Sequence, residues 1–388
     1  MTQDLTTRLI HHPYRPPEGF EAPQMAVHKA STVMFPSVAS VRNRDWRHKT
    51  GYTYGLHGTP TTFVLEERIA ELEGGTHVTL VPSGLAAIAA VDLALLKPGD
   101  EVLLPDNVYG PSRELARHEL ATFGITHRHY DPMDAAGLAA MLTDKTKLVW
   151  LEAPGSVTME FPDLRGLAAA CRARGVISAL DNTWGAGIAF RAFDLGIDIV
   201  MQALTKFPSG GGDVLMGSVC TRDEELGHRI KLGHMRLGYG IGGNDAELLL
   251  RSLPSIALRY EASDRAGREL AAWLGTRPEV SRVLHPAFES CPGHVHWKAT
   301  CTAAAGLFSV MIDPRYTSAQ VDAFVDALKL FRIGYSWAGP VSLAVPYDLA
   351  GMRGTSPYPG TLVRFSMGLE AVADLKADIV QAMDRALR

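Results

Sequence analysis

Short apolar runs alternate with longer helical patterns through the first part of the chain. Apolar runs typical of buried strands lie at residues 78–81, 101–104, 147–152, 176–180 and 197–203. Patterns typical of helices lie between them, at residues 61–73, 85–96 and 163–174. Strands that alternate with helices form mainly parallel sheets covered on both faces. We therefore predict an α/β fold with a three-layer, mainly parallel sheet, whose ligand binds where the strands end.

The two ends of the chain have other patterns. Residues 1–55 are irregular, with prolines at positions 13, 16, 17, 23 and 36, which indicates an extended arm. A long helical stretch over residues 245–275 leads into mixed strands and helices, and the chain ends in a helix over residues 374–387. We predict an N-terminal arm at 1–55, a large domain at 56–244 and a smaller α+β domain at 245–388.

Composition narrows the class of protein. The 388 residues are 46% hydrophobic and 21% charged, and the formal net charge is −4, which gives no electrostatic reason to bind nucleic acid or an anionic membrane. No apolar run approaches the roughly 20 residues of a membrane helix, and we expect no secretory signal. The cysteines form no disulfide-like pattern and favour a reducing cytoplasm; they are Cys171, Cys220, Cys291 and Cys301.

One segment contains several potential zinc ligands. Cys291, His294, His296 and Cys301 lie within eleven residues. Structural zinc sites usually take their ligands as close pairs separated by a longer loop, and this spacing matches none of those patterns. We interpret the segment as a loop that leads into a helix, and we predict no metal.

The lysine at the end of the 197–203 run is a candidate catalytic group. Thr205 and Lys206 follow the strand directly, at the predicted mouth of the sheet. Desolvation there lowers the pKa of an ammonium group and supplies the neutral amine that attacks an aldehyde. Taken alone, such a lysine is more often an ordinary residue at a strand end, and its neighbours are what favour a catalytic role.

Two further features suit a pyridoxal phosphate site. Asp181 ends the strand before that of Lys206 and would lie at the same edge of the sheet, where a carboxylate keeps the pyridine nitrogen protonated. Alternatively, Asp181 only caps the turn that follows it. Gly84 and Leu85 open a helix, whose free amides suit a phosphate group.

Several motifs resemble one enzyme family, and they extend along nearly the whole chain. They are Tyr54-Gly55-x-x-Gly58-Thr59, Glu71-Leu72-Glu73-Gly74-Gly75, the segment from Glu152 to Glu160, Asp181-Asn182-Thr183-Trp184, Ala203-Leu204-Thr205-Lys206, Tyr335-Ser336-Trp337, Gly360-Thr361-Leu362-Val363-Arg364 and Gly368-Leu369-Glu370. Together they resemble the cystathionine β-lyase branch of the Cys/Met-metabolism pyridoxal-phosphate-dependent family, which has fold type I.

The resemblance implies roles around the cofactor. Lys206 would hold pyridoxal phosphate as a Schiff base and move the Cα proton, and Asp181 would pair with the ring nitrogen. Tyr109 would stack on the ring. Tyr54 would reach the cofactor of a neighbouring subunit, which implies a homo-oligomer, expected to be a homotetramer. The phosphate group would be held by Gly84, Leu85 and Thr205.

It also implies a substrate site and a reaction. Arg364 would clamp the α-carboxylate of a sulfur amino acid, beside a wall of Ser336, Trp337 and Tyr335. Pro111 replaces a cysteine typical of methionine γ-lyases, and Tyr335 replaces an acidic residue typical of γ-acting members. These features favour β-cleavage of cystathionine to homocysteine, pyruvate and ammonia. The alternatives are a γ-lyase, a γ-synthase, a broad cysteine-S-conjugate lyase, or a binding module without turnover.

Two positions depart from the family pattern. Leu56 occupies the place of an arginine that binds the phosphate across the subunit interface, and Gly211 occupies a place that is often histidine. We expect weaker cofactor retention as a result. His57 could substitute in part for the arginine, although we expect an exposed loop histidine without a role.

Overall fold

The computed structural model describes residues 4–11, 18–20, 22, 24–49, 51–353 and 358–388. The α-helices in these residues are α1 (Leu5–Ile10), α2 (Val38–Arg42), α3 (Pro60–Glu73), α4 (Gly84–Leu95), α5 (Gly110–Leu115), α6 (Ala135–Met141), α7 (Leu164–Ala173), α8 (Glu224–Leu237), α9 (Gly243–Ser252), α10 (Ile256–Leu274), α11 (His294–Thr300), α12 (Ser318–Asp326), α13 (Leu349–Arg353) and α14 (Val372–Ala386). The strands are β1 (His77–Val81), β2 (Glu101–Pro105), β3 (Thr126–Tyr130), β4 (Thr146–Glu152), β5 (Ile177–Asp181), β6 (Ile199–Ala203), β7 (Gly217–Thr221), β8 (Val280–Leu284), β9 (Leu307–Ile312), β10 (Leu343–Tyr347) and β11 (Leu362–Ser366).

The larger sheet has seven strands in the order β1-β7-β6-β5-β4-β2-β3. The strands are parallel apart from β7, which pairs antiparallel with both β1 and β6. Side chains alternate between the faces: Leu148 and Trp150 of β4 join the core beneath α4 and α8, while Val149 and Leu151 join the core on the opposite face. Burial on both faces explains the continuous apolar runs of these strands. The predicted α/β class is confirmed.

Local sequence signals set the ends of the helices beside this sheet. Thr59 caps α3, Pro60 occupies its first turn, and Gly74 ends it with a φ of 76°. That left-handed conformation suits glycine, which has no Cβ. Ser83 caps α4 by accepting a hydrogen bond from the amide of Ala86.

The helical stretch predicted over residues 245–275 is two helices. The helix α9 ends at Ser252, a single 3₁₀ turn spans Leu253–Ser255, and α10 begins at Ile256. Pro254 lies in the turn and has no amide hydrogen to continue an α-helical ladder. The predicted helical stretch is therefore interrupted at this turn.

The second sheet is antiparallel and has the order β10-β11-β9-β8. Its core contains Phe308 of β9, Phe365 of β11 and residues of α10, α12 and α14, such as Leu270, Phe324 and Ile379. This smaller sheet with its helices agrees with the α+β C-terminal region that the sequence predicts.

The first residues contain more structure than an irregular arm. Asp4 caps α1, and Leu9 of this helix is fully buried in the main core, while Val38 begins the short α2. Four of the prolines on which the extended arm was predicted lie outside the described residues: Pro13, Pro16, Pro17 and Pro23. In the part of the chain that the structure describes, no helix has the length and apolar character needed to cross a bilayer.

Candidate active site

The carboxyl ends of the central strands bring several polar side chains together. Glu152 ends β4 and pairs in register with Asp181, which ends β5. Asp181 in turn pairs with Met201 of β6, and Lys206 follows that strand after three residues. The order of the strands thus places two carboxyl groups and one amine at the same edge, as parallel strands do.

The amine of Lys206 lies where the two domains meet. Its Nζ is 2.9 Å from Oγ of Ser336 and 5.3 Å from the ring centroid of Trp337. Burial, with a further contribution from the positive charge of Arg364, lowers the pKa of Lys206 to about 8, while the charge of Asp181 opposes this shift. The amine therefore has a substantial neutral fraction near neutral pH, which a nucleophile requires.

The negative charge of Asp181 acts on the amine of Lys206. Its Oδ1 accepts a hydrogen bond of 2.9 Å from the amide of Thr183, which holds it at the end of β5. Burial raises the pKa of Asp181, while the hydrogen bonds from Thr183 and the charge of Lys206 counteract that rise. Asp181 is thus oriented by its own turn, and its capping role coexists with its place beside Lys206.

Glu152 belongs to the site although the sequence analysis gave it no role. Its Oε2 accepts a 2.7 Å hydrogen bond from the backbone amide of Tyr109. Burial, with the neighbouring charge of Asp181 in addition, raises the pKa of Glu152 well above its ordinary value. Burial and the nearby charge of Asp181 both favour the neutral form of Glu152. An acidic residue at the end of an otherwise apolar strand was the available sequence signal.

The aromatic ring of Tyr109 is near this pair. Burial raises the pKa of its phenol, and the charges of Asp181 and Glu152 act in the same direction. The residue as a whole is 41% exposed, which leaves part of it accessible to a planar ligand.

The start of α4 is pressed against the end of β6. A Cβ built on Gly84 would lie 2.7 Å from the Cβ of Ala203, so glycine allows this close approach. Oγ of Ser83 accepts a hydrogen bond from the amide of Ala86. The amides of Gly84 and Leu85 lie in the first turn, where the helix supplies no acceptor for them. Oγ1 of Thr205 lies 3.3 Å from the carbonyl oxygen and 3.2 Å from the amide nitrogen of Met216. These groups form a cradle with positive helix polarity at its floor.

The predicted carboxylate clamp comes from the C-terminal sheet. Arg364 is only 7% exposed, and its Nη2 donates to the carbonyl oxygens of Tyr335 at 2.9 Å and Ser336 at 3.4 Å. Its guanidinium lies 5.2 Å from the ring centroid of Tyr347, an aromatic contact that the sequence analysis did not foresee. The side chain of Tyr335 is 79% exposed, so its backbone rather than its ring holds Arg364.

The residues at the end of the arm do not join this group within one chain. No hydrogen bond or ring contact links Tyr54 to Lys206 among the described residues, and the side chain of Tyr54 is about half exposed. Leu56 lies beside Gly240, while His57 is 2% exposed and packs its ring edge-on against Phe63. The expectation of an exposed His57 was therefore wrong. Burial lowers its pKa, which favours an uncharged imidazole that cannot replace an arginine.

The Cys/His segment has partners of its own. Sγ of Cys291 lies 3.3 Å from the carbonyl oxygen of Met159, and Nδ1 of His294 lies 2.9 Å from that of Pro286. Cys301 caps the end of α11 through its backbone amide. The ligand atoms of this segment do not converge on one point in the described residues.

The donor set fits pyridoxal phosphate. A buried amine with a lowered pKa, a carboxyl group at the same edge of the sheet, an accessible aromatic residue and a helix start for the phosphate are the groups that this cofactor requires. Lys206, Asp181 and Tyr109 meet the first three requirements, and the start of α4 meets the fourth.

Similarity to known proteins identifies the family of this chain. The sequence profile described as Cys/Met metabolism PLP-dependent enzyme matches residues 6–384. Cystathionine beta-lyase of Bordetella avium is 38% identical over 96% of this chain and 95% of its own, and cystathionine beta-lyase MetC of Escherichia coli is 34% identical over 97% of each. The crystal structure of metB from Corynebacterium glutamicum superposes with a TM-score of 0.90, at 27% identity, over 99% of this chain and 98% of that one. The chain belongs to the family of Cys/Met-metabolism PLP-dependent enzymes, with its fold type I architecture.

Proposed function

We propose that this chain is a carbon–sulfur β-lyase that cleaves cystathionine, with water, to homocysteine, pyruvate and ammonia. One observation carries the proposal: the partly neutral Nζ of Lys206 faces Ser336 of the other domain, between the charges of Asp181 and Arg364. The curated relatives named cystathionine beta-lyase support the same reaction.

The residues of the cradle and the sheet edge would hold the cofactor. Bound pyridoxal phosphate withdraws electrons from the Cα of the substrate, which acidifies the Cα–H bond and lets the Cβ–S bond break. Lys206 would bind the aldehyde carbon, Asp181 would keep the ring nitrogen protonated and Tyr109 would cover the ring. The amides of Gly84 and Leu85, with Thr205, would bind the phosphate.

The substrate is oriented from the C-terminal sheet. Arg364 binds the α-carboxylate through two parallel hydrogen bonds, and the carbonyl oxygens of Tyr335 and Ser336 hold the guanidinium in place. The Nζ of Lys206, when free of the cofactor, would be the base that removes the Cα proton of the substrate. A pKa near 8 suits this role, since general-base catalysis is most efficient when the pKa lies near the working pH.

A cavity beside Tyr109 offers space for the rest of a long thioether. It has a volume of about 670 Å³, and its largely apolar lining includes Leu85, Val108, Pro111 and Met352. Tyr335 and Pro111 favour β-cleavage over γ-cleavage, as in the β-lyase branch.

The proposed assembly is a homotetramer in which Tyr54 serves the site of a neighbouring subunit. Exposed apolar side chains in the arm support an intersubunit contact: Met34 is 88% exposed and Val38 67% exposed. We propose three parts, an arm at 1–55, a large domain at 56–244 and a C-terminal domain at 245–388. The four free cysteines suit a cytoplasmic location.

Product analysis tests the function. Cystathionine incubated with the holoenzyme is expected to give pyruvate and homocysteine in equal amounts, and Lys206→Ala is expected to give neither. Formation of 2-oxobutyrate and cysteine would instead assign γ-cleavage. Borohydride reduction followed by peptide mapping should locate the cofactor on Lys206; a label elsewhere would contradict the assignment of the lysine.

A further inference from the structure

A second cluster of potential ligands lies where the arm crosses the start of α8. His48 comes from the arm, and Glu224 and His228 come from the first turns of the helix. The Nε2 atoms of His48 and His228 lie 3.8 Å and 3.9 Å from the same atom, Oε1 of Glu224. Among the described residues, this is the one group of His, Cys, Asp or Glu whose three ligand atoms all lie within 4.8 Å of one another.

These distances are too long for hydrogen bonds, so the three groups do not satisfy each other directly. They are a few tenths of an ångström longer than the distances between neighbouring ligand atoms around a bound cation. Bond lengths of about 2.0–2.1 Å in a tetrahedral zinc site separate neighbouring ligand atoms by about 3.3–3.5 Å. The side chains of His48 and Glu224 are 57% and 62% exposed, which leaves them free to move the few tenths of an ångström required.

The surroundings orient the ligands. Nδ1 of His48 lies 2.7 Å from Oδ2 of Asp45, and a carboxylate on this nitrogen turns Nε2 outward as the ligand atom. Glu224 and His228 are four residues apart on α8 and therefore share one face of the helix. The next residue of the arm, Lys49, forms a 2.7 Å ion pair with Glu66 of α3, which keeps His48 beside α8.

We propose that His48, Glu224 and His228 bind a divalent transition-metal ion, for which zinc is the expected occupant. Two imidazoles and one carboxylate are ligands that zinc, cobalt and nickel share, and the exposed side of the cluster leaves a fourth position for water. The ion would fasten the arm to α8, only six residues before Tyr54. The proposal departs from the absence of metal that local spacing predicted, because the ligands lie far apart in the sequence.

Metal uptake by the holoenzyme tests the site. After treatment with a chelator, wild type is expected to bind one Co²⁺ per chain with visible d–d absorption, and Zn²⁺ should displace it. His228→Ala should abolish this uptake, and Asp45→Asn should weaken it by about 10–100-fold. The matched control is His118→Ala, which removes a histidine that also pairs with a glutamate one turn away, Glu114, but has no third ligand. This control should bind Co²⁺ as wild type does.

Proteolysis tests the consequence for the arm. Arg42, Arg44 and Arg47 are exposed sites for trypsin in the segment around the cluster. Zinc is expected to slow cleavage there in wild type and in His118→Ala, but not in His228→Ala. Equal metal binding by wild type and His228→Ala, or no binding by either, would overturn the site. Metal binding that does not protect the arm from trypsin would contradict the inference that the ion fastens the arm to α8.

Discussion

The amine of Lys206 is under opposing electrostatic influences, which makes its titration predictable. Burial and Arg364 lower its pKa to about 8, and Asp181 opposes them. The neutral fraction, and hence the rate at which cofactor-free protein captures pyridoxal phosphate, should rise about tenfold between pH 7 and pH 9. Rapid-mixing absorbance measurements would follow the capture.

Substitution of the two neighbours should move this profile in opposite directions. Arg364→Gln removes a positive charge, so the pKa of Lys206 should rise and the midpoint should move to higher pH. Asp181→Asn removes a negative charge, so the midpoint should move to lower pH. Profiles that shift together, or remain at the midpoint of wild type, would contradict this account of the amine.

Leu56 is a second residue whose side chain is expected to affect one property, here the affinity for pyridoxal phosphate. It lies beside Gly240 and has no charge to offer a phosphate, and burial, which lowers the pKa of His57, disfavours a charged imidazole that could compensate. Leu56→Arg should tighten cofactor binding by about 10–100-fold, the effect of one hydrogen bond to a charged group. Equilibrium dialysis against pyridoxal phosphate would measure the dissociation constant. Leu56→Met is the control for size without charge, and equal retention by all three proteins would refute the expectation.

At the scale of elements, a buried carboxylate joins three parts of the chain. Glu66 of α3 forms ion pairs with Lys49 of the arm at 2.7 Å and with Lys231 of α8 at 3.4 Å. Burial alone would raise the pKa of Glu66, but the charges of Lys231 and Lys49 outweigh it and lower the pKa overall. The arm and two helices are thus held by one charged group.

Glu66→Gln should lower the free energy of unfolding by about 3 kcal/mol at pH 7, because it leaves two lysines without a counter-charge. The loss should lie at the lower end of the range for buried pairs, since Lys49 is partly solvated. Since the pKa of Glu66 is lower in the folded state, its stabilisation is present above the ordinary glutamate pKa and disappears as the pH falls through the lowered value. The two proteins should therefore converge in acid when unfolded by denaturant. The control is Glu119→Gln at an exposed position, whose free energy of unfolding should differ from that of wild type by no more than about 0.5 kcal/mol at either pH. A loss in this control as large as that of Glu66→Gln would contradict the special role of Glu66.

At the scale of the whole molecule, we propose that the half-exposed Tyr54 serves the active site of a neighbouring subunit. Lys206→Ala and Tyr54→Phe should each have little activity, but a mixed dimer would contain one site with both residues intact. An equal mixture that is dissociated and reassembled should have about one quarter of its sites complete. The measurement is pyruvate formation before and after mixing.

The control for this experiment uses two residues of the same site. Lys206 and Arg364 approach each other within one chain, so a mixture of Lys206→Ala and Arg364→Ala should gain no activity. Recovery in both mixtures, or in neither, would contradict the exchange of Tyr54.

The sequence by itself predicted the strands and helices around the larger sheet, and it predicted that Asp181 and Lys206 lie at one edge of that sheet. Strands such as β4 and helices such as α4 follow from apolar patterns over a few residues, and Asp181 and Lys206 follow from their positions where such strands end. The break at Pro254 was also present in the sequence, since proline lacks the amide that a helix requires.

Only the tertiary structure decided which distant side chains meet. Ser336 lies 130 residues beyond Lys206, Glu152 joins Asp181 through strand register, and His57 is buried by packing rather than by its local pattern. The cluster of His48, Glu224 and His228 likewise combines the arm with a distant helix. Periodicity records the preference of a segment for a conformation and for one buried face, whereas contacts between segments depend on their packing in space.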